Sequence, residues 1–270
     1  MIGFNHLGRL GRLGNQMFQY AALRGIAAKQ EVNYCLPFHN DAVDDGLGNP
    51  NRTELFDCFK METVTSLNIQ MVDSGRPIIS EGTFHFNEGM FNNQFDWVTL
   101  YGFFQSEKYF KHIEETIRKD FTFKDEILDP CEDMMENIGE AVGLHIRRKD
   151  YLTNPNHCAL DTEYYEKALA QFPDDVPVIV FSDEPQWCME QELFSDDRFE
   201  IAQDIGPYHT LYLMSKCSDF IIANSTFSWW GAWLANRGKV VAPGTWFGPN
   251  NAHKSIKDLY PENWTILNYS

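Results

Sequence analysis

The stretch AVGLHIRRKD, residues 141–150, decides the fold. It begins as an almost continuous apolar run, which predicts a buried strand, and it ends in a group of cations. Short apolar or β-branched runs recur at 176–181, 220–223 and 239–242. A helical segment separates each run from the next, and this alternation indicates an α/β domain with a parallel sheet.

The helices of this second half are predicted from periodicity and from their first residues. Asp161 is the expected N-cap of a helix at 162–172, and a proline opens the helix at 185–193. Further helices are predicted at 207–216 and 225–235. In such folds, ligands bind at the carboxyl ends of the strands, near helix N-termini.

The first half of the chain is less regular. Its predicted elements are a strand at 1–7, a helix at 15–29, a strand at 31–36, a strand at 97–103 and a helix at 106–119. Residues 40–95 give no assignable pattern, and 121–137 is the best candidate for a boundary. We therefore predict two α/β halves with a cleft between them, 1–137 and 138–270, and a C-terminal tail that packs back on the first half.

Composition and charge exclude several classes of protein. The 270 residues are 43% hydrophobic, which is enough for a core and excludes wholesale disorder. The net charge of −17 argues against a nucleic-acid partner. No apolar run approaches the roughly 20 residues of a membrane span, and no secretory signal is visible. We expect a soluble, cytoplasmic protein whose six cysteines are reduced.

Four potential cations lie within five positions at the carboxyl end of the predicted strand at 141–146 and directly after it: His145, Arg147, Arg148 and Lys149. An arginine fork holds a phosphate through two hydrogen bonds and stays charged at any physiological pH. In so acidic a chain, a cluster at a strand's carboxyl end is therefore informative. The alternative is that these side chains pair with surface carboxylates, and the cluster alone favours neither interpretation.

Two other segments combine a turn with a helix start. Glycines at 8, 11 and 14 lead into the first long helix, which allows close approach of a ligand but also describes a simple tight turn. The second segment is the start of the predicted helix at 225–235. One amide and three hydroxyl side chains lie there, at the kind of helix N-terminus where anions bind, and capping of the helix accounts for only one of these four side chains. These residues are Asn224, Ser225, Thr226 and Ser228. The following tryptophans, Trp229, Trp230 and Trp233, are predicted to be core.

Asp183 stands at another strand-to-helix junction. Its carboxylate can cap the following helix, which is the simpler interpretation, or accept paired hydrogen bonds from the edge of a guanine. The chain contains no D-x-D and no H-E-x-x-H motif, and its eight histidines are scattered. The sequence therefore predicts no bound metal.

Three motifs together resemble one enzyme family. They are GRLGNQMFQYA at 11–21, HIRRKD at 145–150 and ANSTFSWWGAWL at 223–234. In this order they resemble the α-1,2-fucosyltransferases of glycosyltransferase family eleven. Within that family, the chain resembles the soluble bacterial or viral members. The resemblance implies a GT-B-like fold with two Rossmann-like halves. It also implies an inverting, metal-independent transfer of L-fucose from GDP-fucose to a hydroxyl of a galactoside or other glycan.

The resemblance implies a role for each candidate residue. Arg147 would bind the donor pyrophosphate and assist its departure, and Arg148 would hold the loop or the donor nearby. His145 would lie against the guanosine, and Asp183 would read the guanine. Further phosphate contacts would come from Asn224, Ser225, Thr226 and Ser228. From the first half, which is the acceptor side, the cleft would be lined by Gly14, Asn15 and Gln16.

Inversion requires a group that removes the proton from the acceptor hydroxyl. Asp150 is the nearest carboxylate in the motif and is our candidate base. Glu88 and His85 in the unassigned region, and Asp96 directly after it, are the alternatives. GDP-fucose and a glycan are the implied partners, no cofactor is expected, and a location peripheral to membrane glycan assembly is compatible with this chemistry.

Other readings of the motifs stay open. The enzyme could form another fucose linkage or use another GDP-sugar, which residues 68–93 would decide. A protein from a different class, a silent nucleotide-sugar or glycan binder, would bind GDP-fucose without turnover. In a purely structural α/β domain, Arg147 would stabilise the fold and leave donor affinity unaffected.

Overall fold

The computed structural model of the protein describes residues 1–37, 43–44, 50–51, 53–70, 75–134 and 138–268. The chain divides into two compact units. The first unit is Met1–Lys124 with Lys254–Pro261, and the second unit is Asp125–His253 with Glu262–Ser270. The division falls inside the segment 121–137 that the sequence favours as a boundary, whereas residue 137 itself lies outside the described residues.

The first unit is built on a parallel sheet. Its strands are β1 (Ile2–Gly3), β2 (Tyr34–Cys35), β3 (Val43–Asp44), β4 (Pro50–Asn51), β5 (Ile78–Ser80) and β6 (Val98–Tyr101). Four of them form the sheet in the order β2-β1-β6-β5, and β3 pairs with β4 in a separate antiparallel ribbon. The helices are α1 (Leu13–Lys29), α2 (Leu55–Cys58), α3 (Glu88–Asn92) and α4 (Glu114–Asp120).

Helix α1 forms because its residues are strong helix formers, and packing then buries most of its length. It begins at Leu13, two residues before the predicted start, because a carboxylate from elsewhere in the chain caps it. Glu54 Oε2 accepts a hydrogen bond from the Leu13 backbone N at 2.8 Å. Negative charge at this position also complements the helix dipole.

The second unit is built on a larger parallel sheet. Its strands are β7 (Val142–Ile146), β8 (Val178–Ser182), β9 (Phe199–Ile201), β10 (Asp219–Ile221), β11 (Val240–Pro243) and β12 (Thr265–Leu267). The six strands lie in the order β12-β11-β10-β7-β8-β9, and each pairs in parallel with its neighbours. The helices are α5 (Asp125–Leu128), α6 (Thr162–Leu169), α7 (Pro185–Met189), α8 (Pro207–Met214) and α9 (Thr226–Ala235).

Many local predictions for the second unit are confirmed. The four predicted strands correspond to β7, β8, β10 and β11, and every residue of β7 is buried, as expected for a central strand. Asp161 caps α6, because its side chain accepts a hydrogen bond from the Tyr164 backbone N at 3.2 Å. Ser225 is the N-cap of α9. The three tryptophans of α9 are buried core residues, as predicted.

Other predictions are wrong in detail. The helix predicted at 106–119 is instead two 3-10 turns, Glu107–Tyr109 and Lys111–Ile113, followed by α4. Phe110 interrupts the helix with φ −134° and ψ 0°, and its ring is fully buried together with that of Tyr109. Tertiary packing of two adjacent rings therefore overrides the helical pattern. The helix predicted at 185–193 ends as α7 at Met189.

Candidate active site

The candidate site starts at the carboxyl edge of the sheet in the second unit. β7 and β8 are neighbours, and Ile146 is paired in register with Ser182. The residues that follow these strands therefore come together. The Arg147 guanidinium lies 2.9 Å from Asp183 Oδ2, and it also forms an ion pair with Asp150. The two groups that the resemblance assigns to pyrophosphate and guanine are thus in direct contact.

Arg148 is held by three contacts. Its backbone N donates to Asp183 Oδ1 at 2.9 Å, and its Nε donates to Glu184 Oε2 at 2.9 Å. Its guanidinium also lies over the Trp187 ring, 3.7 Å from the centroid, which is a close cation–π arrangement. Arg148 therefore fixes the loop that follows β8.

Arg147 is the more accessible of the two arginines. About a third of its side chain, 33%, is exposed, compared with 16% for Arg148. Burial raises the pKa of Asp183, while the charge of Arg147 and the N–H of Arg148 oppose that rise. An incoming phosphate can replace these carboxylates as the partner of Arg147, because both are anionic acceptors of the same fork.

His145 lies at the carboxyl end of β7 and is only 5% exposed. Burial, with the nearby charge of Arg147, lowers its pKa to about 3, so the ring is neutral at physiological pH. Its ring centroid is 5.5 Å from that of Phe227 on α9. Among the described residues, its Nδ1 has no hydrogen-bond partner. A neutral, buried ring with an unsatisfied nitrogen is suited to contact a ligand.

The predicted residues at the start of α9 take different positions. Asn224 Nδ2 donates to the carbonyls of Cys158 at 2.9 Å and Trp246 at 3.1 Å, which ties three loops together. Ser228 is fully buried, and its hydroxyl is directed at the backbone carbonyls that precede it. Ser225 accepts from the Phe227 N at 3.4 Å, while Thr226 is half-buried in the first turn.

Tyr151 is a residue that sequence reasoning missed. Its hydroxyl donates to the Asn224 carbonyl at 3.3 Å, and its ring stacks on His157 with centroids 4.3 Å apart. Arg147 lies over the same ring at 5.4 Å. Burial raises the pKa of Tyr151 to about 12, so it stays protonated. Its position directly after the cationic motif was the available signal. Glu184 and Trp187 were missed in the same way.

The predicted residues of the first unit lie at the start of α1. Asn15 Oδ1 accepts from Gln105 Nε2 at 2.7 Å, and Gln16 is fully buried with its Oε1 accepting from the Glu54 N at 2.7 Å. Gly14 is buried in the first turn of the helix. Gly11 has φ +88°, and a Cβ there would collide with Asn15. The preceding turn therefore requires glycine.

The candidate bases are dispersed. Asp150 is paired with Arg147, whereas Asp96 is paired with the N-terminal amino group at 3.2 Å. Glu88 stands in the first turn of α3. His85 has its backbone carbonyl bonded by the Thr83 hydroxyl at 3.1 Å. These contacts do not choose among the four candidates.

Comparison with known proteins identifies the family. The profile described as glycosyl transferase family 11 matches residues 2–268. The chain belongs to glycosyl transferase family 11. The predictions of this family and of a glycosyltransferase are therefore confirmed.

Relatives within family 11 differ in what their names say they transfer. The chain is similar to an alpha-1,2-colitosyltransferase of Escherichia coli, with 32% identity over 95% of this chain and 96% of that protein. The O-antigen biosynthesis glycosyltransferase WbnK of Escherichia coli is 35% identical over 60% of this chain and 59% of that protein. Human galactoside alpha-(1,2)-fucosyltransferase 1 is 28% identical, and the match spans 83% of this chain but 64% of the relative.

Solved fucosyltransferase structures share the fold. The fucosyltransferase NodZ from Bradyrhizobium superposes with a TM-score of 0.52 at 13% identity, covering 86% of this chain and 93% of NodZ. A variant of Arabidopsis thaliana FUT1 in complex with GDP superposes with a TM-score of 0.56 at 10% identity, covering 96% of this chain and 74% of that chain. The predicted α/β, GT-B-like fold with parallel sheets is confirmed by these likenesses, which at such low identity show the fold alone.

The described residues contain neither a metal-binding cluster nor a membrane-spanning helix. Within the ranges given above, no three His, Cys, Asp or Glu side chains gather as a possible metal site. The acidic side chains at the candidate site instead face arginines. In the same ranges, no helix combines the length and the apolar character needed to cross a bilayer.

Proposed function

We propose that this family 11 chain is an inverting, metal-independent glycosyltransferase. It would move L-fucose from GDP-fucose to a hydroxyl of a galactoside and form an α-1,2 linkage. One observation carries the proposal: Arg147 and Asp183 meet at the carboxyl edge of neighbouring parallel strands. This edge is where open α/β sheets bind nucleotides.

The donor would bind by exchanging partners in this pair. The Asp183 carboxylate can accept the two N–H groups on the edge of a guanine, which releases Arg147 toward the pyrophosphate. The Arg148 side chain is hydrogen-bonded to Glu184 and lies over the Trp187 ring, so it would hold the loop and not the phosphates. His145 is neutral and can lie against the guanosine without adding charge.

Departure of GDP places negative charge on the phosphate oxygens. Arg147 and the backbone N–H groups at the start of α9 are the groups that would stabilise this charge in the transition state. Each such interaction lowers the barrier by about 3 kcal/mol. Asp150, as the proposed base, would take the acceptor proton, and its ion pair with Arg147 holds it beside the proposed donor site.

A second candidate is transfer of another GDP-sugar, colitose in particular. It is favoured by the similarity to the alpha-1,2-colitosyltransferase, which extends over nearly the whole length of both chains. The residues proposed to bind guanine and pyrophosphate would serve either donor equally. The choice between fucose and colitose would then depend on contacts to the sugar alone.

The test is a calorimetric titration in EDTA followed by a transfer assay. We expect GDP and GDP-fucose to bind and UDP not to bind, and we expect fucosyl transfer to lactose in the presence of EDTA. Product from GDP-colitose but not from GDP-fucose would establish the second candidate. GDP binding without product from either donor on a panel of galactosides would indicate a silent binding protein. Absence of GDP binding would refute the donor site.

A further inference from the structure

The carboxyl edge of the sheet in the first unit carries a group that the donor chemistry does not use. Ser80 of β5 is paired in register with Tyr101 of β6, so Glu81 and Gly102 follow at the same edge. Substrates of α/β folds bind at this end of parallel strands. A substrate that contacts the first unit is therefore expected at this edge.

The turn after β6 has an unusual backbone. Gly102 has φ +157° and Phe104 has φ +54°, a left-handed conformation that aromatic residues rarely adopt. A Cβ at position 102 would lie 2.6 Å from the Cβ of Glu81. Backbone strain of this kind persists only where the surroundings impose it, and it clusters at ligand-binding sites.

Glu81 imposes this conformation. The residue is only 6% exposed, and its Oε2 accepts hydrogen bonds from the backbone N of Phe103 at 3.0 Å and of Phe104 at 2.9 Å. The ring of Phe104 is fully buried and packs edge-on against Phe4 and Tyr109. One carboxylate oxygen and one buried ring therefore fix two consecutive peptide groups.

The fixed turn presents two aromatic side chains, whereas Gln105 is only 6% exposed. Tyr101 and Phe103 are 38% and 37% exposed, and Tyr101 meets the His6 ring edge to face at 5.2 Å. Gln105 donates to Asn15 in the first turn of α1. A neutral sugar combines an apolar C–H face with hydroxyl groups. Aromatic faces bind the C–H face, so the two exposed rings are suited to contact such a sugar.

We propose that residues 101–105 form the acceptor subsite, in which the Tyr101 and Phe103 rings contact a neutral sugar ring and Glu81 is the positioning residue that fixes the turn. This proposal rests on the proposed function, in which the acceptor is a galactoside. Single exposed aromatic residues are common on protein surfaces. Here they coincide with a strained turn and a buried carboxylate that holds it.

Trp97 provides a matched control. It precedes β6 at the opposite, amino end of the same strand, is 47% exposed, and also has a positive φ of +53°. It therefore resembles Tyr101 and Phe103 in exposure, and it shares a positive φ with Phe104 of the turn. It lies away from the edge where a substrate is expected.

The first test compares Phe103→Ala and Tyr101→Ala with Trp97→Ala. We expect the two edge variants to raise the KM for lactose about tenfold and to leave the KM for GDP-fucose within about twofold. Trp97→Ala should change neither constant. The proposal is overturned if the edge variants raise the lactose KM no more than Trp97→Ala does, or if they raise both constants alike.

The second test separates positioning from general stability. Glu81→Gln keeps a side-chain carbonyl that accepts the same two N–H groups, whereas Glu81→Leu removes the acceptor at similar volume. We expect Glu81→Leu to raise the lactose KM about tenfold, and Glu81→Gln to stay within about threefold of wild type. Equal KM values for the two variants would overturn the positioning role. If Glu81→Leu does not fold, the exposed Phe103→Ala variant decides.

A binding experiment distinguishes failure here from failure of the proposed function. Saturation-transfer NMR with methyl β-galactoside reports sugar binding without turnover, and GDP calorimetry reports the donor site. We expect saturation transfer to wild type and to Trp97→Ala, and its loss in Phe103→Ala. Unchanged transfer in Phe103→Ala, with GDP binding intact, overturns the acceptor subsite alone. Loss of GDP binding in the wild type refutes the donor proposal instead.

Discussion

Asp183 and Glu81 occupy equivalent places in the two units, since each follows a parallel strand at the carboxyl edge of its sheet. Their partners differ. Asp183 faces the guanidinium of Arg147 and the N–H of Arg148. Glu81 Oε2 accepts from the backbone N–H groups of Phe103 and Phe104, and the charge of Lys254 also acts on this carboxyl group.

Under the proposed function, this difference would let one topological position serve two kinds of ligand. A carboxylate paired with an accessible arginine can release that arginine to an anion, which suits a nucleotide diphosphate. A buried carboxylate that accepts hydrogen bonds from backbone N–H groups fixes a turn, which suits a subsite for a neutral sugar. Burial raises the pKa of both carboxyl groups, to about 8 for Glu81. The opposing groups are mainly the backbone N–H groups of Phe104 and Phe103 at Glu81, and mainly the charge of Arg147 at Asp183.

The largest expected effect comes from removing the exchangeable cation. Arg147→Ala should lower kcat/KM for GDP-fucose about a thousandfold and weaken GDP binding, because both ground state and transition state lose their phosphate partner. Steady-state kinetics and calorimetry measure this. Lys167→Ala, which breaks an exposed ion pair with Glu163 in the same unit, is the control. Retained GDP affinity in Arg147→Ala would mean that the arginine is structural.

The next effect concerns Asp150. If it is the base, Asp150→Asn should lower kcat about a hundredfold while GDP affinity changes little. Asp174→Asn is the matched control, since Asp174 is an exposed carboxylate 3.9 Å from Arg198. A loss of GDP affinity with kcat retained would show instead that Asp150 positions Arg147, and the base would then be sought among Glu88, Asp96 and His85.

Asp183→Asn should have a smaller and more selective effect. Wild type should bind GDP about tenfold more tightly than IDP, because IDP lacks the exocyclic amine that would donate a hydrogen bond to the Asp183 carboxylate. The variant should lose that preference, since an amide cannot accept from both N–H groups. Competition calorimetry with the two nucleotides measures the ratio. An unchanged ratio would remove Asp183 from guanine recognition.

The smallest expected effect is on the stability of the protein and concerns Glu81. Between its usual value of 4.5 and about 8, folded Glu81 keeps a proton that the unfolded chain has lost. The free energy of unfolding should therefore fall as pH rises through this window, with the contribution fully present below about 4.5. The Tm of the wild type should fall as the pH rises from about 5 to about 8. The Tm of Glu81→Gln should fall by about a few degrees less over the same range, because glutamine has no proton to lose.

Thermal melts of the two proteins across this range measure the difference. Parallel Tm curves would mean that Glu81 is ionised in the folded protein at neutral pH. The comparison with Asp183 would then rest on geometry alone.

Local pattern predicted the elements whose signal lies within their own residues. The strand β7 and the cap Asp161 are of this kind. The edge strands β9 and β12 were not predicted, because each has three partly exposed residues and exists only through pairing with β8 or β11.

For the candidate site, the sequence named Arg147 and Asp183 but not their contact, which joins residues 36 positions apart on neighbouring strands. It also named Gln16 and Ser228 as ligand contacts, whereas both are fully buried and bonded within the protein. Their roles toward a substrate stay predictions. Glu81 carried no local signal, since its surroundings come from β6 and the turn after it.

The sequence by itself determined the family, the alternation of strands and helices, and the placement of cations directly after β7. These follow from residue types within short windows. Only the tertiary structure decided which arginine is accessible, which carboxylate it faces and which polar side chains are buried. The reason is physical: burial and ion pairing depend on neighbours brought together by the sheets, and no local pattern records those neighbours.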